Sequence, residues 1–201
     1  MSIIEIDVVE EQSRVQRWSH YLTLLIALIA LLYAVNQRTG SLNATTLYEN
    51  PEAGITLNYP HNWLIDETGS DYIFRVRDMN NVRFNTTIQI NIQTIGDQSS
   101  AWNILTTRSL ERAATLALYN QLSSVDDFIL PDDSVGTQMD YTYAVTEINP
   151  ALQSLPTIVI GRDILTIRGN QAIIITLIAD SNEFNNALEV FNRFLNSLEF
   201  Q

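Results

Sequence analysis

Few residues of this chain are of the types that usually carry out catalysis or bind metals. The sequence contains two histidines, His20 and His61, and no cysteine, which excludes disulfides, thiolate metal sites, iron–sulfur clusters and C-x-x-C-H haem attachment. A Ser-His-Asp arrangement could use only His61, because His20 adjoins a long apolar segment, and no Gly-x-Ser-x-Gly motif is present. His61 directly follows Pro60, so we interpret it as a turn residue beside a strand. The sequence predicts no catalytic residue and no enzymatic activity.

Carboxylates cluster at one place, where four aspartates surround residues 128–131: Asp126, Asp127, Asp132 and Asp133. Oxygen ligands of this kind could hold Ca²⁺. The segment nevertheless lacks the alternating ligands and the glycine of an EF-hand loop, and acidic pairs in a proline-containing loop are usually solvated. We therefore predict a solvated loop and no metal site. Walker-type and Rossmann-type glycine patterns are also absent, so the sequence predicts no bound cofactor.

Residues 18–37 form the clearest single element. These 20 residues carry no formal charge, and at a rise of ~1.5 Å per residue they span about 30 Å, the thickness of the hydrocarbon core of a bilayer. A cleavable signal peptide is the alternative, but only weak cleavage sites lie in residues 40–44. The segment ends carry the aromatic and basic residues typical of membrane interfaces: Arg17, Trp18, Tyr21, Tyr33 and Arg38. The sequence predicts an uncleaved transmembrane helix in contact with lipid.

The orientation of this helix follows from its flanking arginines. Arg14 and Arg17 precede it and Arg38 alone follows it, so the positive-inside rule predicts a cytoplasmic N-terminus. We therefore expect a single-pass protein of a bacterial inner (cytoplasmic) membrane with its main domain in the periplasm. The predicted divisions are a cytoplasmic tail (1–17), the transmembrane helix (18–37), a linker (38–44) and an extracytoplasmic domain (45–201).

Two features beside the helix each leave two interpretations open. His20 could face a haem or quinone site of a partner, or it could cap the helix at the membrane interface, which we favour. The tail carries five β-branched apolar residues, which either extend the helix or are ordered against another subunit: Ile3, Ile4, Ile6, Val8 and Val9.

The charge of the chain constrains its partners. The net charge is −12, and from residue 18 onward 19 acidic residues face 9 arginines. Such a domain repels nucleic acid and anionic lipid headgroups, so we expect no nucleic-acid partner and favour a basic protein partner.

Apolar residues alternate with polar ones in several segments, which predicts half-buried strands near 55–59, 74–77, 88–92 and 139–145. Residues 157–167 and 171–179 are more uniformly apolar and are joined by Gly169-Asn170, a two-residue hairpin signal. We expect these two segments to be central antiparallel strands.

Two segments show helical spacing. Residues 99–119 place one set on a common face (Trp102, Leu105, Ser109, Ala113 and Leu116), and residues 182–198 place another (Phe184, Ala187, Leu188, Phe191, Leu195 and Leu198). Asp180 with Glu183 resembles a capping box at the start of the second helix. Strands, a helix, further strands and a helix predict an α+β fold, an antiparallel sheet packed by helices.

The order and the sequences of these elements resemble those of a known family. The segments are GITLNYPHNW (54–63), TTIQINIQ (86–93) and GRDILTIRGNQAIIITLIAD (161–180), followed by an amphipathic helix. Together they are similar to the PsbP-like family, named for an extrinsic protein of the oxygen-evolving photosystem. The resemblance implies an α/β/α sandwich and a non-enzymatic accessory role on the lumenal or periplasmic side of a membrane complex. The chain departs from that family in having its own transmembrane helix, and it has no cluster matching the family's metal-binding histidines.

Two functional hypotheses follow. The first is a non-catalytic accessory subunit that stabilises or assembles a larger membrane complex, of the respiratory or photosynthetic electron-transfer class, by contact with its other subunits. The alternative is a free-standing, membrane-anchored periplasmic binding or sensor module for a small ligand or a basic protein. In that case we expect a pocket lined by Trp102, Tyr141 and Tyr143.

Overall fold

The computed structural model describes residues 14–42, 44–66, 68–81, 83–96, 99–146 and 156–200, and the chain divides into two units after Ala44. The first unit contains helix α1 (Arg14–Leu42). The described part of the second unit contains helices α2 (Ala101–Thr115) and α3 (Phe184–Asn196). It also contains the strands β1 (Thr45–Asn50), β2 (Ile55–Pro60), β3 (Leu64–Ile65), β4 (Phe74–Arg77), β5 (Thr87–Thr94), β6 (Asn120–Ile129), β7 (Val135–Val145), β8 (Thr157–Arg168), β9 (Gln171–Asp180) and β10 (Glu199–Phe200).

Helix α1 is long and apolar enough to cross a membrane. Its stretch Trp18–Val35 has a mean hydropathy of 1.8, and all of its residues are exposed within the chain. A helix of this length and composition near an N-terminus is typical of membrane anchors and of signal sequences. The helix continues to Leu42, so residues 38–42 of the predicted linker are helical, because no proline interrupts them. The predicted tail up to Ser13 lies outside the described residues.

The strands form two antiparallel sheets. The larger has seven strands in the order β3-β4-β5-β9-β8-β7-β6, and the smaller has the order β1-β2-β10. Strands β8 and β9 occupy the middle of the larger sheet, as the sequence predicts. Their hairpin turns at Gly169, whose φ of 57° lies in the left-handed region that glycine adopts without strain.

Helices α2 and α3 cover opposite faces of the larger sheet. Ile173 and Ile175 of β9 belong to the main core with Phe191 of α3, whereas the intervening Ile174 packs in a second cluster with Leu105 of α2. Because successive residues of a strand point to opposite faces, the two helices must lie on the two sides of the sheet. The structure therefore confirms the predicted α+β class and the α/β/α layering.

Helix α2 is shorter than the predicted 99–119. It begins after Ser100, whose hydroxyl accepts a hydrogen bond from the backbone N–H of Asn103, and it ends before Leu116, which is extended. Leu105 and Ser109 are buried as predicted, but Trp102 is 40% exposed.

The predicted capping box at the start of α3 is wrong. Glu183 is itself the N-cap residue, in helical conformation, and its side chain caps no backbone N–H. The carboxylate of Asp180 instead accepts hydrogen bonds from the backbone N–H and the side-chain amide of Asn182 at 2.9 and 3.0 Å. The apolar face of α3 is buried as expected, with Phe184, Ala187, Phe191, Phe194 and Leu195 in the core.

Gly161 of β8 lies directly against the ring of Tyr141. A Cβ atom at this position would lie 2.2 Å from Cζ of Tyr141, a ring that is 2% exposed and lies beneath the guanidinium of Arg112 at 4.0 Å. The ring therefore has little room to move aside.

We expect Gly161→Ala to destabilise the chain by about 1–3 kcal/mol, because the added methyl group overpacks this contact. Urea unfolding of the full chain in detergent measures the change. Gly96→Ala is the matched control, since a Cβ there meets no atom within 4 Å. An equal loss in both variants would contradict the proposed role of the Tyr141 ring.

Candidate docking surface

The four aspartates of the predicted acidic loop do not form one site. Asp126 and Asp127 lie within strand β6, and Asp132 and Asp133 lie in the turn that follows. Asp126 accepts a hydrogen bond from the hydroxyl of Thr137 at 3.0 Å. Among the described residues no group of three or more histidine, aspartate or glutamate side chains is placed to hold a metal ion. The prediction of a loop is wrong for residues 126–129, which belong to strand β6: Phe128 and Ile129 pair with β7, and Asp126-Asp127 lie in a register shift.

Asp132 is held in place by the turn between β6 and β7. Its carboxylate accepts hydrogen bonds from the hydroxyl of Ser134 at 2.6 Å and from the backbone N–H of the same residue at 3.1 Å, and it forms an ion pair with Arg168. Burial opposes ionisation of this carboxyl group, but the hydrogen bonds from Ser134 and the charge of Arg168 outweigh it and lower the pKa of Asp132. This carboxylate therefore stabilises the turn between β6 and β7.

The two histidines belong to different units. His61 is in the turn after β2, as the sequence predicts, with its Nδ1 atom 2.9 Å from the hydroxyl of Thr46. His20 lies on α1 with its side chain exposed.

The three aromatic residues of the predicted ligand pocket are not brought together. Tyr141 and Tyr143 are 2% and 9% exposed and form a core cluster with Val159, while Trp102 lies at the half-exposed start of α2 outside that cluster. The tyrosines were expected to line an opening, but α2 covers the sheet face to which they point. Burial raises the pKa of Tyr143 to about 12 and that of Tyr141 well above its usual value, so both phenols stay neutral.

A buried ion pair attaches α2 to this face of the sheet. Arg112 of α2 donates two hydrogen bonds to the carboxylate of Asp163, at 2.6 and 3.2 Å, and that carboxylate is fully buried. Thr176 of β9 donates a third hydrogen bond to the same carboxylate at 2.8 Å. Burial disfavours the charge of Arg112, but the adjacent Asp163 outweighs this effect and raises the pKa of Arg112. The pair is a structural tie between helix and sheet.

An open groove lies at one end of the domain. It has a volume of about 700 Å³ and is lined by the turn after β6 and by the C-terminal segment, including Arg168, Leu198 and Phe200. The guanidinium of Arg168 lies 4.1 Å from the centre of the Phe200 ring and is also paired with Asp132. The groove thus contains a cation whose charge is already balanced.

The apolar surface of the second unit concentrates along strand β6 and its flanks. Of the eleven large apolar side chains exposed among the described residues of this unit, five come from residues 118–135, whereas the other six are distributed over five different strands and helices or their connections. The five residues, with their exposed fractions, are Leu118 (78%), Leu122 (51%), Val125 (45%), Ile129 (66%) and Val135 (57%). We call this set the β6 edge. Exposed apolar side chains concentrated in one segment in this way are typical of interaction sites.

Strand β6 also leaves backbone groups unpaired. It is the last strand in the order of the larger sheet and, among the described strands, pairs with β7 alone, so one side of this ten-residue strand has no strand partner there. Two register shifts interrupt its ladder, at Leu122 and at Asp126-Asp127, and Leu118 and Asp127 have φ values of 55° and 60°. Bulges of this kind re-aim side chains at sheet edges. The β6 edge is therefore the candidate functional site of the domain.

Sequence reasoning missed the β6 edge because β6 was not predicted as a strand. An edge strand that is exposed on most of its residues shows no clean alternation of apolar and polar residues, which is the signal used for the other strands. The available signal was weaker: Leu122 and Val125 are the apolar residues of the otherwise polar segment 120–127, and the apolar run of residues 128–130 follows it.

Comparison with solved structures places the fold. The solution structure of cyanobacterial PsbP (CyanoP) from Synechocystis sp. PCC 6803 matches with a TM-score of 0.54 and 12% identity, covering 79% of this chain and 93% of that one. LpqN from Mycobacterium tuberculosis, described as involved in cell envelope biogenesis, matches with a TM-score of 0.49, 11% identity and coverage of 79% and 91%. The Saccharomyces cerevisiae Ran-binding protein Mog1p matches with a TM-score of 0.48, 9% identity and coverage of 78% and 95%.

No family model matches the chain, and no curated protein matches it in sequence. At such low identities, the structural likeness concerns the fold alone. The second unit has the Mog1p/PsbP-like fold, which confirms the resemblance noted in the sequence at the level of architecture.

The buried ion pair generates a stability prediction. We expect Arg112→Met to destabilise the chain by about 3–5 kcal/mol, because it leaves the carboxylate of Asp163 buried without its cation. The double variant Arg112→Met/Asp163→Leu should recover most of this loss, since neither charge then remains. Urea unfolding in detergent measures both; a single variant that loses less than about 1 kcal/mol would contradict the structural tie.

The carboxylate of Asp132 generates a pH prediction. Because its pKa is lower in the folded chain than the ordinary 3.8, its ionised form stabilises the fold above that value, and this stabilisation is lost as the pH falls through the lowered pKa. The difference in unfolding free energy between the native chain and Asp132→Asn should thus be constant from pH 7 to about pH 5 and shrink in stronger acid. NMR titration should show that Ser134→Ala moves the pKa of Asp132 up; an unchanged pKa would contradict the assignment to Ser134.

Proposed function

We propose that the chain is a non-catalytic, single-pass accessory subunit of a larger membrane protein complex, which it stabilises or assembles from the extracytoplasmic side. Its N-terminus is cytoplasmic, α1 spans the membrane, and the Mog1p/PsbP-like domain lies in the periplasm. The domain contacts other subunits through the β6 edge. The complex is of the respiratory or photosynthetic electron-transfer class.

The observation that carries this proposal is the concentration of exposed apolar side chains along the β6 edge. A domain with a well-packed core has no structural need for Leu122 and Ile129 at the surface, where both are more than half exposed. A partner that covers these residues gains stability, because each Å² of apolar surface removed from water contributes about 25 cal/mol to the binding free energy. A subunit that docks on a partner can bury these side chains in the interface, whereas a module that works alone has no such use for them.

The features of α1 support a membrane assembly. The exposed apolar stretch Trp18–Val35 can pack against lipid or against helices of a neighbouring subunit. Arg14 and Arg17 before it, against Arg38 after it, favour the cytoplasmic N-terminus.

The chemistry of the described residues supports a non-catalytic role. Tyr141 and Tyr143 are buried with raised pKa values, Asp163 is engaged by Arg112, and His61 lies by Thr46 in an exposed turn. Within the described ranges these groups serve packing and ion pairing, and they do not converge on an open cleft as an acid–base pair would. The fold likeness to cyanobacterial PsbP directs the proposal toward a photosynthetic or respiratory complex.

Extraction of the native membrane in mild detergent, followed by native electrophoresis, tests the proposal. We expect the chain to migrate with an assembly much larger than its own 22.8 kDa and the same partners to recur after a second, orthogonal separation. Migration of the chain alone at monomer size would contradict the proposal and favour the free-standing binding or sensor module.

A matched pair of variants tests the β6 edge within that assembly. Leu122→Gln/Ile129→Gln should reduce co-migration about tenfold or more, because it removes apolar contacts at the centre of the surface. Leu64→Gln/Leu110→Gln alters two side chains of comparable exposure, 58% and 69%, on β3 and α2 and should leave co-migration unchanged. Equal behaviour of the two double variants would contradict the assignment of the surface, provided that both keep the native unfolding midpoint.

A further inference from the structure

The segment that builds the β6 edge has an unusual charge pattern. From Ala113 to Gly161 the sequence contains six acidic residues and no lysine, arginine or histidine. Strands β6 and β7 lie within this segment. The apolar side chains of the β6 edge are therefore accompanied by negative charge and by no basic residue of their own hairpin.

Nearby arginines neutralise only part of this charge. Arg162 of β8 pairs with Asp140 through two hydrogen bonds of 2.7 and 2.8 Å, and Arg168 pairs with Asp132. Asp127 and Asp133 are exposed, and in the described part of the chain neither side chain takes part in an ion pair or hydrogen bond. These two carboxylates, and that of Asp126, which accepts its hydrogen bond from the hydroxyl of Thr137, thus have no ion-pair partner among the described residues.

The shape of β6 restricts how a partner can bind. The register shifts at Leu122 and at Asp126-Asp127 leave only three consecutive residues, 123–125, in regular pairing between them. An added strand needs a longer regular ladder, and bulges are a common device that prevents such addition. A partner must therefore bind the β6 edge through side chains and not as an eighth strand.

The charge selects among the possible occupants. A second copy of this chain would bring the same carboxylates against Asp127 and Asp133, and anionic lipid headgroups would be repelled in the same way. A positively charged surface is attracted, and basic side chains around an apolar contact are complementary to this edge.

We propose that the β6 edge binds a partner protein that presents an apolar side chain surrounded by lysine or arginine residues. This inference rests on the proposed function and adds to it the chemistry of the partner. The apolar residues provide contact area, and Asp127 and Asp133 select for basic residues around it.

Site-specific photocrosslinking of the full chain in its native membrane tests the contact. A photoreactive amino acid replaces Leu122 or Ile129, and matched controls replace Leu64 or Leu110. We expect the two β6 positions to crosslink to one protein other than this chain, at a segment richer in lysine and arginine than in aspartate and glutamate. A crosslink to a second copy, to lipid or to an acidic segment would overturn the inference.

Charge-neutral variants test the role of the carboxylates. Asp127 and Asp133 have φ values of 60° and 63°, which asparagine tolerates, so Asp127→Asn/Asp133→Asn removes two charges without backbone strain. We expect it to weaken binding about fivefold, by analogy with two exposed ion pairs, and to reduce the salt dependence of crosslinking. The control Glu52→Gln/Glu189→Gln removes two exposed charges elsewhere and should change neither.

The outcomes separate the two proposals. If the chain migrates alone in mild detergent, the accessory function itself fails. If it migrates in an assembly but crosslinks only from Leu64 or Leu110, or if the asparagine variant behaves as its control does, the accessory function stands and the basic partner at the β6 edge is excluded.

Discussion

The fold depends on the complete burial of strand β9. Its residues from Ala172 to Leu177 are all buried, which requires cover on both faces of the sheet at once. Helix α3 supplies one cover and helix α2 the other, and β5 and β8 close the two edges of the strand. Its two neighbours are β5, from earlier in the chain, and β8, which precedes it in the hairpin, so the burial of β9 joins both halves of the larger sheet.

Helices α3 and α2 bury apolar clusters of different size on the two faces of the larger sheet, and the ion pair between Arg112 and Asp163 lies on the face with the smaller clusters. The α3 side holds the large core with its stacked rings, whereas the α2 side holds two smaller clusters. A charged pair in the interior costs desolvation and is retained only when its hydrogen bonds are satisfied. Thr176 and the fork of Arg112 satisfy those of Asp163. The pair fixes where α2 lies along the sheet, and this position in turn buries Tyr141 and Tyr143.

The sequence predicts those helices and strands in which burial of a face makes apolar residues recur at regular intervals. The β8–β9 hairpin, strands β4, β5 and β7, and the apolar face of α3 all have one or two faces against the core, so their residue types repeat accordingly. The end of α2 and the capping of α3 depend on single hydrogen bonds, which leave little trace in residue type: Asp180 and Glu183 suit a capping box, yet Asp180 binds Asn182. The β6 edge was missed for a further reason. Its residues face a partner or solvent, and the chain's own core imposes no period on them.

The two edges of the larger sheet have opposite designs, which bears on which of them a partner uses. The β3 edge has only two residues, and the carboxylate of Asp66 after it is engaged by Arg77 at 2.6 Å. A short edge with paired charges offers little to another chain. Strand β6 has ten residues, is flanked by the apolar side chains of the β6 edge and by unpaired carboxylates, and is interrupted by bulges. Length and apolar side chains favour the docking that the proposed function requires, while the bulges and unpaired carboxylates disfavour strand addition and further copies of the same chain. An edge that served only to end the sheet would need the bulges and the unpaired carboxylates, but it would not need the length or the exposed apolar side chains.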